Sequence, residues 1–125
     1  MIKRTHDTKH LGDIRRVIET YATGADRRDI DALDTAFHDH FRVVAVTPDG
    51  IRNLDKRTYL DLARAEKIGG IARELDIEWI TANGATARAE VRLKAPDKIF
   101  HDDLALVDEG HGWKIVNNVT RVEPV

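Results

Sequence analysis

The second half of the chain alternates apolar and polar residues almost without a break. This confines it to strands with one buried and one wet face. Leu75, Ile77 and Trp79 alternate with Glu74, Asp76 and Glu78. An Asn83-Gly84 turn follows. Then Ala85, Ala87, Ala89, Val91, Leu93 and Ala95 alternate with Thr86, Arg88, Glu90, Arg92 and Lys94. The small inner residues near 85–89 call for a bulky neighbour or an open space. Pro96-Asp97 leads into a strand that carries Phe100, Leu104 and Leu106 on one face, and Asp102 shares that face. Burying a carboxylate without a partner costs several kcal/mol or forces it to bind a proton, so what Asp102 faces is the central question. After a Glu109-Gly110-His111-Gly112 turn, the last strand (113–122) is mixed. Trp113, Ile115, Asn117 and Val119 share one side, and Lys114, Val116, Asn118 and Thr120 the other.

The first half reads as helices. Leu11, Ile14, Ile18, Tyr21 and Ala25 make one stripe of a helix over 8–24, with Thr8 or Asp13 as its cap and either Gly24 as its stop or a further turn through Ala25-Asp26. A shorter helix runs from 29 or 30 to about 37, capped by Asp29, with Leu33 and Phe37 on one face. A short strand over 41–46 and a Thr47-Pro48-Asp49-Gly50 turn lead to a brief partner strand over 51–53. Asp55 caps a third helix, with Leu54 and Tyr59 placed as a hydrophobic staple. Tyr59, Leu62 and Ala63 are its expected inner stripe, and it ends near Ile68 before Gly69-Gly70. Helices first and hairpin-linked strands afterwards imply an α+β domain with a mainly antiparallel sheet curved around the helices, enclosing a cavity.

At 125 residues the chain is long enough for one domain, 1–125. Lys plus Arg number 20 against 22 Asp plus Glu, without a clustered basic face, which argues against a nucleic-acid footprint. There is no cysteine and no serine, so disulfides, thiolate metal sites and Ser or Cys nucleophiles are excluded. Residues 1–11 lack the apolar run of a signal peptide, and no segment approaches the roughly 20 apolar residues that span a bilayer. A soluble cytoplasmic protein without cofactor, nucleic acid or membrane partner is expected.

Several stretches, in this order, resemble the nuclear transport factor 2-like superfamily, nearest the branch labelled putative lumazine-binding or SnoaL-like. They are Val17-Ile18-Glu19-Thr20-Tyr21 followed by Gly24; Asp29 to Phe37-His38; Leu54-Asp55 before Tyr59-Leu60; Phe100-His101-Asp102-Asp103-Leu104-Ala105-Leu106; and Gly112-Trp113-Lys114-Ile115-Val116-Asn117. The resemblance implies a cone-shaped fold of three helices in a curved sheet, and a homodimer formed through the outer sheet face. It also implies a functional range from ketosteroid isomerases, dehydratases and cyclases to proteins without a known reaction. In the isomerases, the residues matching Tyr21 and Asp102 are oxyanion donors, the second a carboxylic acid kept neutral by its apolar site. The place of their general base is Ala45 here.

The candidate catalytic pair is therefore Tyr21 and Asp102, with the rival reading that the Tyr21 hydroxyl simply satisfies Asp102 in a filled core. The candidate ligand-binding set is Tyr21, Phe37, Tyr59, Asp102, Trp113 and Asn117, with the sheet face taken by Trp113 and Asn117, and by Trp79, left open by the sequence. No metal site is expected, although His38 and His40 are two apart; His38, His40 and Asp49 are the residues available as a base. His101 and Asp103 face away from Asp102. Val107, Val116 and Ile80 lie opposite the inner sets and form an apolar outer face for the dimer. Three functions follow: a small-molecule-binding domain for a mostly apolar ligand; an isomerase, dehydratase or cyclase acting on a small carbonyl compound; or an interaction module without a ligand.

Overall fold

The first helix, α1 (Leu11–Arg27), buries Ile14, Ile18, Tyr21, Ala22, Gly24 and Ala25, the stripe its sequence spells out. The structure, a computed structural model, describes residues 8–125, so most of the segment 1–11, expected to lack a signal peptide, lies outside the described residues. Neither Thr8 nor Asp13 caps α1: the N-cap is His10, without a side-chain bond. Of the two ends the sequence allows, the helix takes the later one, running past Gly24 through Ala25-Asp26. A Cβ on Gly24 would meet Ala32 Cβ and Leu33 Cγ, each at 3.3 Å, so this glycine lets the next helix approach closely. The helix ends at Arg28, whose left-handed backbone (φ 52°) directs its own N–H to the carbonyl of Ala25 and the next N–H, that of Asp29, to the carbonyl of Gly24.

Helix α2 (Ile30–Ala36) is capped by Asp29, which accepts from Ala32 N at 3.1 Å. Strand β1 (Phe37–Thr47) begins earlier than the sequence predicts. Phe37 and Phe41 stack at 3.8 Å, whereas four residues of regular strand would separate them by about 13 Å. The intervening His38-Asp39-His40 therefore bulges from the ladder, where the register with the last strand shifts. Strand β2 (Gly50–Asp55) returns antiparallel. Helix α3 (Lys56–Arg64) is capped by Asp55, which accepts from Thr58 N at 2.8 Å. It stops one turn before the predicted Ile68, and it buries Leu60 and Ala63 while Tyr59 and Leu62 are half-buried.

Strands β3 (Glu74–Asn83), β4 (Thr86–Lys94), β5 (Lys98–Asp108) and β6 (Trp113–Pro124) complete a six-stranded sheet of order β2-β1-β6-β5-β4-β3. Only β1 with β6 is parallel. This is the predicted α+β cone, with the helices inside the curve of a mostly antiparallel sheet.

Two bulges overturn face assignments made by strict alternation. A register shift between Ile77 and Trp79 turns Trp79 outward, where it is 41% exposed and donates to Glu90, and turns Ile80 and Ala82 inward. In β6 a shift opposite Ala105 and Leu106 places Trp113, Ile115, Asn118 and Thr120 inside, and Asn117 and Val119 outside. A side chain's face has period two, so one inserted residue reverses every later assignment.

Candidate functional site

A cavity of about 920 Å³ opens between the concave sheet face, the C-terminal end of α1, the β1–β2 hairpin and the loop after α3. The local sequence explains each wall. Tyr21 belongs to the buried stripe of α1, Asp102 to the inner face of β5, and Asn118 and Thr120 to the inner face of β6 after its bulge. Ala45 and Ala95, with side chains too short to fill the space, leave room on the sheet. The rim closest to α1 is closed by Gly69 and Gly70 (φ 73° and 81°). Gly70 N donates to Ala25 O at 3.0 Å, and a Cβ on Gly69 would lie 2.4 Å from that same oxygen. Arg28 ties the loop down through Nε to Ile68 O (3.0 Å) and Nη2 to Glu66 O (3.1 Å).

On the inner wall, the Tyr21 hydroxyl donates to Asp102 Oδ2 at 2.7 Å. Burial pushes the Asp102 carboxyl above its ordinary 3.8, although Thr120, Tyr21, Arg73 and Asn118 all favour its charged form. Burial, reinforced by Asp102, raises the Tyr21 phenol well above its usual value. Tyr59, also lining the cavity, is pushed up to about 12 by burial. Both phenols are therefore hydrogen-bond donors at any physiological pH. Asn118 Oδ1 is buried beside Asp102 without a hydrogen-bond partner, while the Thr120 hydroxyl faces the Asp102 carboxyl and favours its charged form. Buried polar atoms left unpaired in a native fold call for an explanation, and a ligand is one.

Sequence reasoning missed Arg73. It lines the cavity next to Phe100, its guanidinium carbon 5.0 Å from the ring centre. Its Nε donates to Asp26 Oδ1 at 2.6 Å, and its backbone N to Asp26 Oδ2 at 3.0 Å. The two side chains are only 10% and 15% exposed. Burial works against the guanidinium charge, but Tyr21, Asp26 and Asp102 outweigh it and hold the group charged. No local signal pairs residues 47 positions apart in the chain.

The structure brings together Tyr21, Tyr59 and Asp102 of the predicted ligand set and separates the other three. Phe37 packs behind the cavity, against Phe41, Tyr59 (5.2 Å) and Tyr21 (5.6 Å). Trp113 is buried beside His10, away from the lining. Asn117 faces outward, and Asn118 takes the inner place. Of the residues available as a base, Asp49 is on the rim, while His38 and His40 are outside the lining, with His38 bonded to Glu109. No group of three His, Cys, Asp or Glu is placed to hold a metal among the described residues. Ala87 and Ala89 are buried in the core, not in the cavity, so there the small residues are answered by a neighbour.

The comparisons agree with this geometry. The family model described as putative lumazine-binding matches residues 9–120. No curated protein matches significantly. An NTF2-like protein of unknown function from Silicibacter pomeroyi superposes with a TM-score of 0.82 at 19% identity, over 93% of this chain and 98% of its own. Another, from Shewanella baltica, gives 0.82 at 18% identity, over 98% and 100%. A third, from Methylobacillus flagellatus, gives 0.80 at 19% identity, over 94% of each chain. At these identities the structures establish the fold alone. The family match spans most of the chain, and the chain belongs to the putative lumazine-binding family, with the fold that those NTF2-like proteins share.

Proposed function

We propose that the protein binds a small, mostly apolar ligand in the cone cavity, with the ligand's polar end against the wall formed by Tyr21, Asp102, Asn118 and Thr120. The observation that carries this reading is an open cavity whose lining residues hold two buried polar atoms without partners, Asn118 Oδ1 and Arg73 Nη2. At about 920 Å³ it lies within the range of small-molecule sites. A filled core would have favoured an interaction module instead.

The alternative, an isomerase, dehydratase or cyclase, draws support from the Tyr21–Asp102 pair. It lacks a base within the cavity: the isomerase-like position is Ala45, and Asp49 stands at the rim. In addition, the Tyr21 hydroxyl is already committed to Asp102, so its proton is not free for a substrate oxygen in this state.

The test is a thermal-shift screen of small phenols, enones, lactones and aromatic acids, followed by titration of the hits. Saturable binding that raises the melting temperature is the expected result, with about 2.7 kcal/mol of added stability at a hundredfold excess over Kd. Hits should be weakened by Ala45→Leu, which narrows the cavity. A protein that no compound stabilises, or hits indifferent to Ala45→Leu, would reject the cavity as a binding site.

We also propose that the outer sheet face pairs with a second copy of the chain. Exposed Val46 and Val119 on the adjacent strands β1 and β6, with exposed Trp79 farther along the sheet, support it. Ile80, expected on that face, is turned inward by the β3 bulge and contributes nothing to it.

A further inference from the structure

We infer that the ligand of this cavity is an organic anion, a carboxylate or enolate on an apolar body, whose charged end is taken by the Arg73 guanidinium. This rests on the cavity-binding reading above and adds the chemical class of the ligand.

Arg73 is the cation of the inner cavity, and its hydrogen bonding is incomplete. Nε and the backbone N are spent on Asp26. Nη2 is buried and has no partner. A guanidinium offers five N–H donors in a planar fork that fits a carboxylate, and a buried donor left open costs free energy until an acceptor arrives. The Phe100 ring lies beneath the guanidinium, 5.0 Å from its carbon, and holds that face of it against the wall.

The ionisable groups around it suit an incoming negative charge. Asp26 neutralises Arg73 from the side of α1. Asp102, the other acid of the inner wall, is already engaged by the Tyr21 hydroxyl at 2.7 Å, and burial pushes its carboxyl up from the ordinary range. The Tyr21 and Tyr59 phenols stay protonated. At the mouth, Arg28, Arg52, Lys67 and Lys98 stand against Asp49 and Asp97. Arg28 is occupied with the rim loop, but Arg52, Lys67 and Lys98 form no ion pair among the described residues. An excess of cations around a cleft draws anions in. Apolar side chains (Val43, Leu54, Ile68 and Val122) supply the contact for the ligand body.

The experiment compares matched probes: phenylacetate, cinnamate and indole-3-acetate against their primary amides, each titrated by calorimetry. The acid of at least one pair should bind about tenfold or more tighter than its amide, as a charge-assisted hydrogen bond requires. Arg73→Met alone would strand Asp26, so the informative variant is Arg73→Met combined with Asp26→Asn, checked for retained fold by circular dichroism. In that variant the acid should lose its advantage while the amide binds as before. Amides that bind as tightly as acids to the native protein, or a preference that survives the double variant, would overturn the inference and leave the cavity-binding reading standing. Failure of both acids and amides, together with every neutral compound in the wider screen, would instead reject the cavity-binding reading itself.

Discussion

Asp102 is the residue on which the chemistry turns, and the structure resolves its position between two readings the sequence left open. It accepts a hydrogen bond from Tyr21, as a residue satisfied within a core would, yet both groups also border an open cavity. Its native pKa is raised above the unfolded one, so the native state holds this proton more tightly. The resulting stability is complete below the unfolded value of 3.8 and is lost as pH rises through the native value. Asp102→Asn has no proton to lose. The stability of the native protein relative to that variant should therefore fall across this window in urea titrations at several pH values. A difference that does not change with pH, or a carboxyl carbon that titrates at or below 3.8 by NMR, would show that Asp102 sits charged. Arg73 makes the complementary point: burial alone would weaken its charge, and three neighbours restore it.

At the scale of elements, the caps and stripes of the helices were readable from local chemistry, because an Asp at an N-cap or an apolar residue every third or fourth position acts on its immediate neighbours. Asp29 and Asp55 cap α2 and α3 as expected. The role of glycines was misread, because close approach is a tertiary fact. Gly24 admits α2, and Gly69 and Gly70 let the rim loop touch the end of α1. Gly69→Ala meets both a left-handed backbone and an oxygen 2.4 Å away, and it should destabilise the fold by about 1–3 kcal/mol in urea unfolding. Gly12→Ala, within α1 with open space around it, should instead stabilise by about 0.5–1 kcal/mol. Equal effects of the two substitutions would refute the packing argument for the rim. The strands teach the same lesson: alternation located β3 and β6, and a single bulge in each decided the faces of Trp79 and Asn117, turned Ile80 inward and put Asn118 rather than Asn117 on the side of Trp113.

The whole molecule is a cone with a wet opening and a partly apolar back. The back is not uniformly apolar. Around β4 it carries ion pairs, Arg88 with Asp103 at 2.9 Å and Arg92 with Asp76 at 3.0 Å, and the apolar part lies along β1 and β6. If that part meets a second copy, sedimentation at micromolar concentration should give a dimer, and Val119→Arg, which sets like charges across a two-fold interface, should give a monomer of unchanged fold. A native protein that sediments as a monomer, or a variant that remains dimeric, would dismiss the pairing. Among the described residues no helix is long and apolar enough to cross a membrane. The sequence by itself determined the class of fold, the order of elements, the inward placement of Tyr21 and Asp102, and the family. The family came from the resemblance of several ordered stretches; the others follow from periodicity and local chemistry, which are written into neighbouring residues. The tertiary structure decided whether the core is filled or open, which asparagine faces inward, and that Arg73 joins Asp26 across 47 positions of chain. Bulges and long-range pairings depend on how distant segments fit together, and no local pattern encodes that fit.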